Sequence, residues 1–185
     1  AGTILADNPQ LTARTEGMID PVRIIVDGHL SVPLKAKVFQ EEGENIILTT
    51  TASDEGKRKA LSDMGVDIIM TDGEEKGSVD LEAAMTGLAL KGIDSILLEG
   101  GATLAASAFD AGIVDKVRIY TAPMIIGGVS APGLIGGEGA PTILKAIRLR
   151  DIQTQMTGKD LVIEAYVEKE AKEEKAESTR PTDVD

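Results

Sequence analysis

The feature that most constrains the fold is an alternation of short apolar runs with helix-like stretches through the middle of the chain. Apolar runs at 45–51, 66–70 and 93–98 are separated by two helix-like stretches, and a third precedes a fourth run at 115–122. Strand–helix units joined by short connections cross over in a right-handed sense and build a parallel sheet. We therefore predict an α/β fold with a mostly parallel sheet, and residues 21–27 as a further strand.

Residues with capping side chains mark where the predicted helices begin. Ser53 precedes the first helix and Asp80 the second, and such side-chain oxygens accept hydrogen bonds from the free N–H groups of a first turn. Gly65, Gly92 and Gly112 close the three helices, at positions where a left-handed backbone is favoured. The second helix has an apolar stripe with helical spacing, formed by Leu81, Ala84, Met85 and Leu88.

The last third of the chain has a different pattern. Residues 143–155 and 160–168 alternate apolar and polar positions around the turn-forming MTGKD, which predicts an antiparallel hairpin at a sheet edge. Before the hairpin, 124–141 contains six glycines and is predicted to be a long functional loop. We predict one domain over 1–168 and a charged tail, solvated or disordered, over 169–185.

The composition argues against several classes of site and partner. The formal net charge is −12, and an acidic surface repels the phosphate backbone of nucleic acids. There is no cysteine and a single histidine, His29, so disulfides, thiolate chemistry and a metal site are not expected. No apolar run approaches the ~20 residues of a membrane span, and no signal-peptide pattern is present. We expect a cytoplasmic protein with no membrane or nucleic-acid partner.

The stretch LLEGGATLAAS combines a strand end, a carboxylate and two glycines. Glu99 follows the predicted strand, and Gly100 and Gly101 precede a helix whose first N–H groups are anion donors. Ligands of parallel sheets bind beyond the carboxyl ends of the strands, which favours a phosphate-binding turn. An ordinary tight strand–helix turn would use the same glycines, and the spacing matches no standard phosphate-binding motif.

The stretch GTILADNPQLTAR, residues 2–14, is a second polar candidate. Arg14 lies just beyond a turn punctuated by Pro9, where an arginine is a good bidentate partner for a phosphate. Ordinary solvated side chains on a surface loop would produce the same pattern.

Five separated motifs, taken together and in order, resemble one known family. It is the reductase domain of the bifunctional riboflavin-biosynthesis deaminase/reductase, together with the stand-alone archaeal and fungal reductases of that pathway. The resemblance extends from residue 1 to about residue 168. Its motifs are GTILADNPQLTAR, PVRIIVD, SILLEGGATLAASAFDAGIVDKV, APMIIGG and GGEG.

The resemblance implies a dihydrofolate-reductase-like fold, NADPH as cofactor and a homodimer formed through an apolar face of the later strands. The implied reaction reduces the ribosyl group of 5-amino-6-(5-phosphoribosylamino)uracil to the ribityl group. The family's domain begins with a strand and a helix upstream of GTILAD, so the resemblance implies that this sequence lacks the domain's first strand and helix. A deaminase domain, fused or separate, is the implied upstream neighbour.

Three other functions stay open at this point. One is the 2,5-diamino-6-ribosylamino-pyrimidinone phosphate reductase of the same family, which acts before deamination. Another is a different reductase of this fold, for which the chain has few aromatic residues to build a pterin site. The third is a non-catalytic nucleotide-binding module, which would bind NADPH without turnover.

The resemblance also implies roles for individual residues. Thr3 and Asp7 match cofactor-contacting positions, and Asp7 is our candidate for relaying the proton. Leu11, Arg14 and Glu99 match substrate-binding positions, with Arg14 on the sugar phosphate. Gly28 stands where the family often has a serine that contacts the cofactor, so only its backbone is available. The segment around the cofactor phosphates matches Gly101, Ala102, Thr103, Leu104, Ala105, Ala106 and Ser107.

Two further loops are assigned by composition. The TTTAS stretch, 49–53, offers three threonine hydroxyls, a serine and a helix start, so we predict that it binds the 2′-phosphate of NADPH. The glycine-rich loop 127–139 is predicted to be a lid over the cofactor, with Gly127, Gly128, Gly136 and Gly137 as its flexible points.

Overall fold

The computed structural model describes residues 1–14, 17–99, 101–128, 131 and 133–169. The chain forms two units. The first comprises Ala1–Ile113 and Gly127–Gly139, and the second comprises Val114–Ile126 and Ala140–Asp185. The predicted tail lies outside the described residues except for Lys169, which pairs with Asp115 at 2.5 Å.

Three parallel strands form the sheet of the first unit. They are β1 (Arg23–Val26), β2 (Asn45–Thr49) and β3 (Asp67–Met70), in the order β1-β2-β3. Every residue of β2 is buried, because side chains cover both faces of the central strand. Ile46 and Leu48 pack with one apolar cluster, and Ile47 packs with another. The predicted parallel α/β sheet is confirmed for these strands.

Helices α2 (Glu55–Asp63) and α3 (Leu81–Leu90) connect and follow these strands. The predicted cap of α3 is confirmed, since the Asp80 carboxylate accepts the N–H of Ala83 at 3.0 Å. The predicted cap of α2 is wrong by one residue. Asp54 accepts the N–H of Lys57 at 2.7 Å, whereas the Ser53 hydroxyl turns back and donates to the Thr50 carbonyl.

The predicted strand at 93–98 is wrong. Residues 93–99 carry no strand, and Ile96, Leu97 and Leu98 are 43%, 79% and 43% exposed. A strand needs a neighbour for its N–H and C=O groups. None of the described strands pairs with this segment, and β1 pairs along one edge only, with β2. The segment leads into α4 (Ala102–Asp110), which is present as predicted.

A short helix, α1 (Gly2–Asp7), was not apparent from the sequence. It has no side-chain cap, and its six residues are too few for a periodic pattern. Its position depends on Ile4, which is 7% exposed and belongs to the apolar cluster around β1 and β2. Tertiary packing therefore decides this helix.

The second unit contains an antiparallel sheet. Strands β4 (Lys116–Thr121), β5 (Leu149–Thr157) and β6 (Asp160–Val167) lie in the order β4-β6-β5. The predicted hairpin is confirmed, with Gly158 in its turn at φ 62°. The prediction that β4 continues the parallel sheet is wrong, because β4 pairs antiparallel with β6.

The two faces of this antiparallel sheet differ in chemistry, since side chains alternate across a strand. On one face, Lys116 and Arg118 lie 2.6 and 3.9 Å from the Glu164 carboxylate. The hydrogen bond from Lys116 lowers the pKa of Glu164, and Glu164 raises the pKa of Lys116. The other face carries mainly apolar side chains, among them Ile119, Ile163, Met156 and Leu161. No helix among the described residues is long and apolar enough to cross a membrane.

Candidate functional site

The turns at the carboxyl ends of β1, β2 and β3 form one edge of the parallel sheet, where ligands of such sheets bind. The turn after β1 is held by Asp27, which is 4% exposed. Its carboxylate accepts the N–H of Val32 at 2.7 Å and the hydroxyl of Ser31 at 3.1 Å. Asp27 therefore fixes the turn that contains Gly28. Sequence reasoning missed this role, although an acidic residue directly after a buried strand was a usable signal.

Gly28, the predicted backbone contact for the cofactor, is packed under another turn of the chain. A Cβ at this position would lie 1.9 Å from the carbonyl oxygen of Gly77. A serine, which the family resemblance leads one to expect here, would not fit while this turn is in place. Glycine is therefore required at position 28 by the backbone of Gly77, independently of any cofactor contact.

The threonine-rich turn after β2 is only partly available to a ligand. Thr49 and Thr50 are fully buried, and their hydroxyls donate at 2.8 Å to the carbonyls of Asp27 and Gly28. We predicted that loop 49–53 binds the 2′-phosphate, but these two hydroxyls are not available for it, because both hydrogen-bond to the turn after β1. Thr51 is exposed at the end of the strand.

Side chains of opposite charge lie beside Thr51. The Arg58 guanidinium donates to the Ser53 hydroxyl at 2.9 Å and to the Thr51 carbonyl at 3.4 Å. The Asp72 carboxylate accepts both the N–H and the hydroxyl of Thr51. The turn after β2 thus presents the Arg58 guanidinium and two hydrogen-bond donors of Thr51, its N–H and its hydroxyl. Both donors are already hydrogen-bonded to the Asp72 carboxylate.

The N-terminus of α4 is the second candidate for holding a phosphate. Its N-cap is Gly101, at φ 86°, and no side chain caps its first turn. Helices α2 and α3, by contrast, are capped by the carboxylates of Asp54 and Asp80. The free N–H groups of an uncapped first turn form an anion-binding site. The predicted phosphate-binding turn therefore has the backbone geometry that it needs.

Two other stretches of the chain lie against this helix start. A Cβ at Gly101 would lie 3.8 Å from the Thr3 hydroxyl oxygen, so the structure brings two predicted cofactor contacts together. The N–H of Gly136 donates to the Ala102 carbonyl at 2.9 Å. A Cβ at Gly136 would lie 3.2 Å from that same carbonyl. A side chain at 136 would therefore force the Ala102 backbone or the loop to shift by a few tenths of an ångström.

The remaining residues of the predicted cofactor segment divide between two faces of α4. Ala106 is buried, beside Gly137. Thr103 and Ser107 lie on the exposed face, and the Ser107 hydroxyl donates to the Thr103 carbonyl at 3.2 Å. Backbone N–H groups, rather than these side chains, are the main donors that α4 offers. Leu104 and Ala105 are half-buried.

The predicted substrate and catalytic residues are more dispersed. Asp7 is exposed at the end of α1, and Arg14 and Glu99 are exposed as well. Leu11 is at φ 55° and packs against the apolar core, so its backbone rather than its side chain is presented outward. The N–H of Ala13 donates to the Asp20 carboxylate at 2.7 Å, which fixes the chain next to Arg14. The structure shows no contact that joins these residues into one pocket.

Within the residues that the structure describes, no group of three or more His, Asp or Glu side chains could hold a metal ion.

A family model described as the RibD C-terminal domain matches residues 1–163. The chain belongs to the RibD C-terminal domain family. It is 37% identical over 166 residues to the riboflavin biosynthesis protein RibD of Actinobacillus pleuropneumoniae, covering 89% of this chain and 44% of that protein. The chain thus spans less than half of this relative.

A shorter relative is matched over most of its length. The chain is 34% identical over 168 residues to the 2,5-diamino-6-ribosylamino-4(3H)-pyrimidinone 5′-phosphate reductase of Methanothermobacter thermautotrophicus. That match covers 89% of this chain and 76% of the relative. The chain is therefore similar both to a protein named RibD and to a protein named as the pyrimidinone phosphate reductase.

Solved structures of the family have the same fold. RibD from Acinetobacter baumannii superposes with a TM-score of 0.73 at 23% identity, covering 90% of this chain and 45% of that one. The riboflavin biosynthesis reductase Rib7 of Saccharomyces cerevisiae gives 0.68 at 21% identity, covering 91% and 73%. The predicted α/β, dihydrofolate-reductase-like fold class is confirmed.

Proposed function

We propose that this chain is a reductase domain of riboflavin biosynthesis that uses NADPH to reduce the ribosyl group of 5-amino-6-(5-phosphoribosylamino)uracil to the ribityl group. The observation that carries the proposal is the uncapped start of α4, against which Thr3 and Gly136 lie, in a chain of the RibD C-terminal domain family. This arrangement supports a dinucleotide whose pyrophosphate lies on the first turn of α4.

The residues present fit such a cofactor. The N–H groups of Ala102, Thr103 and Leu104 open the helix and would hold the phosphate oxygens. Two glycines shape this turn: Gly101 adopts a φ of 86°, which side chains disfavour, and a Cβ at Gly136 would lie 3.2 Å from the Ala102 carbonyl. When bound, NADPH supplies a hydride to C1′ of the ring-opened sugar, which is held as an imine.

The chain's own residues bind and orient the substrate and move the proton. Arg14 binds the sugar phosphate beside the backbone of Leu11, and Glu99 accepts hydrogen bonds from the sugar hydroxyls. Asp7 relays the proton that the imine nitrogen needs when hydride arrives. The exposure of Asp7, Arg14 and Glu99 is compatible with these roles.

The test is turnover by the complete protein with NADPH and either of two substrates. The deaminated uracil and the 2,5-diamino-pyrimidinone are supplied in parallel, with product identified by mass spectrometry. Preference for the uracil supports the proposal. Preference for the diamino compound supports the alternative reductase, which the match to the M. thermautotrophicus relative favours. NADPH binding without turnover of either would indicate a non-catalytic nucleotide-binding module.

We also propose that the protein is a homodimer that works in the cytoplasm, where NADPH and phosphorylated sugars are retained. The apolar face of the antiparallel sheet supports a dimer. Register places Ile119 opposite Ile163, and Met156 opposite Leu161, on this face. Met156 is 63% exposed and Leu161 36%, whereas Ile119 and Ile163 are half-buried, and exposed apolar side chains grouped on one face mark an interaction surface.

A further inference from the structure

The Asp72 carboxylate accepts hydrogen bonds from both donors of Thr51, the exposed residue that follows β2. The N–H of Thr51 donates to Oδ1 of Asp72 at 2.9 Å, and the Thr51 hydroxyl donates to Oδ2 at 2.7 Å. Two donors thus bind two oxygens of one anion. The same two donors would bind two oxygens of a phosphate in the same way. The side chain of Asp72 therefore stands where an external anion would bind.

The turn that carries Asp72 is held in place on both sides. Thr71 continues the strand pairing through its N–H to the Thr49 carbonyl at 3.0 Å, and its hydroxyl donates to the Asp80 carbonyl at 2.9 Å. On the other side, the N–H of Gly73 donates to the Ser78 carbonyl at 2.9 Å. The contact between Asp72 and Thr51 is consequently a defined feature of the fold.

A cation stands beside this contact. The Arg58 guanidinium is half-buried and hydrogen-bonds the Ser53 hydroxyl and the Thr51 carbonyl. In the part of the chain that the structure describes, Arg58 makes no ion pair within 4.0 Å. Arg58 attracts an anion to the end of β2, whereas Asp72 opposes a second negative charge there.

We propose that Asp72 is a specificity-determining residue that weakens the binding of a 2′-phosphorylated dinucleotide relative to one with a free 2′-hydroxyl. This inference rests on the proposed function. A ribose hydroxyl can donate to a carboxylate, as in NAD-binding sites. A 2′-phosphate has no proton to donate to the Asp72 carboxylate at neutral pH. It must therefore displace Asp72 from Thr51 or bind beside the negative charge of Asp72. Asp72 thus limits how strongly the site prefers NADPH over NADH.

The experiment compares three versions of the complete protein by calorimetry with NADP⁺ and NAD⁺. They are wild type, Asp72→Asn and the matched control Glu74→Gln, which removes the same charge from an exposed side chain two residues away. Asp72→Asn is expected to raise the affinity for NADP⁺ roughly tenfold, as removal of a nearby like charge would. Its affinity for NAD⁺ should not rise. Glu74→Gln should change neither affinity by more than about twofold.

Three results would overturn the inference. If wild type and Asp72→Asn bind both dinucleotides with the same affinity ratio, the role of Asp72 is wrong and the proposed function stands. If Glu74→Gln raises NADP⁺ affinity as much as Asp72→Asn does, the effect is one of overall charge. If none of the three proteins binds either dinucleotide, the inference and the proposed function fail together. Melting curves of Asp72→Asn show whether a change in binding comes from unfolding.

Discussion

The Thr3 hydroxyl oxygen lies 3.8 Å from the point where a Cβ on Gly101 would stand. The two residues are far apart in the chain, and we predict that both contact the cofactor. Their proximity places α1 against the uncapped start of α4. A phosphate on that first turn would therefore have the Thr3 hydroxyl beside it as well as the helix N–H groups.

Replacement of Gly101 by alanine should weaken cofactor binding. Gly101 is at φ 86°, where a Cβ costs about 1–2 kcal/mol and would narrow the approach to the first turn of α4. We expect the Kd for NADPH to rise about tenfold, measured by calorimetry. Gly112→Ala is the matched control, because Gly112 is also left-handed, at φ 65°, and follows the other end of α4. If both variants weaken binding equally, general strain rather than the site is responsible.

Replacement of Gly136 tests the predicted lid. A Cβ there would lie 3.2 Å from Ala102 backbone atoms, so Gly136→Ala should shift the chain around 136 by a few tenths of an ångström and weaken its contact with α4. We expect faster hydrogen exchange over the 127–139 loop and loss of the protection that NADPH gives it in wild type. Gly133→Ala should leave both unchanged, because its Cβ would meet only the Ile135 carbonyl at an ordinary 3.5 Å. If the wild-type loop is equally protected from hydrogen exchange with and without NADPH, it does not close on the cofactor and the lid prediction is wrong.

Steady-state kinetics should separate the roles of the two carboxylates. Asp7→Asn is expected to lower kcat at least tenfold with little change in KM, because a proton relay acts mainly in the transition state. Glu99→Gln is expected to raise KM for the substrate with a smaller change in kcat. The measurement uses the complete protein with saturating NADPH. If Asp7→Asn retains full kcat, Asp7 does not relay the proton and is a cofactor ligand only.

A charge on the apolar face of the antiparallel sheet should dissociate the proposed dimer. Met156→Lys places an ammonium group on the face that Leu161 and Ile163 share, where burial of an unpaired charge is costly. Sedimentation velocity should then show a shift from dimer to monomer. Gln155→Lys adds the same charge to the neighbouring position on the opposite face and should leave the dimer intact. A wild-type protein that sediments as a monomer would contradict the proposal.

Local pattern predicted three helices of the first unit and the hairpin of the second unit correctly. Helices α2, α3 and α4 were predicted because their glycine ends and, in α3, the Asp80 cap and the Leu81–Leu88 stripe are short-range signals. The β5–β6 hairpin was predicted because its turn and its period-two alternation are local as well. The turn at Gly101, which we propose binds a phosphate, was predicted for the same reason, because a glycine that precedes a helix is visible in the sequence.

Contacts between distant residues decided the rest. Residues 93–98 have the composition of a strand but no partner among the described strands, and β4 pairs with β6 because pairing depends on which edge is near. The threonines of 49–53 look alike in sequence, yet Thr49 and Thr50 bond to the turn after β1 while Thr51 bonds to Asp72. By itself, the sequence determined helices, turns and the family, which depend on neighbouring residues. Only the tertiary structure decided which polar groups were free to bind a ligand, because a hydrogen bond depends on distance in space.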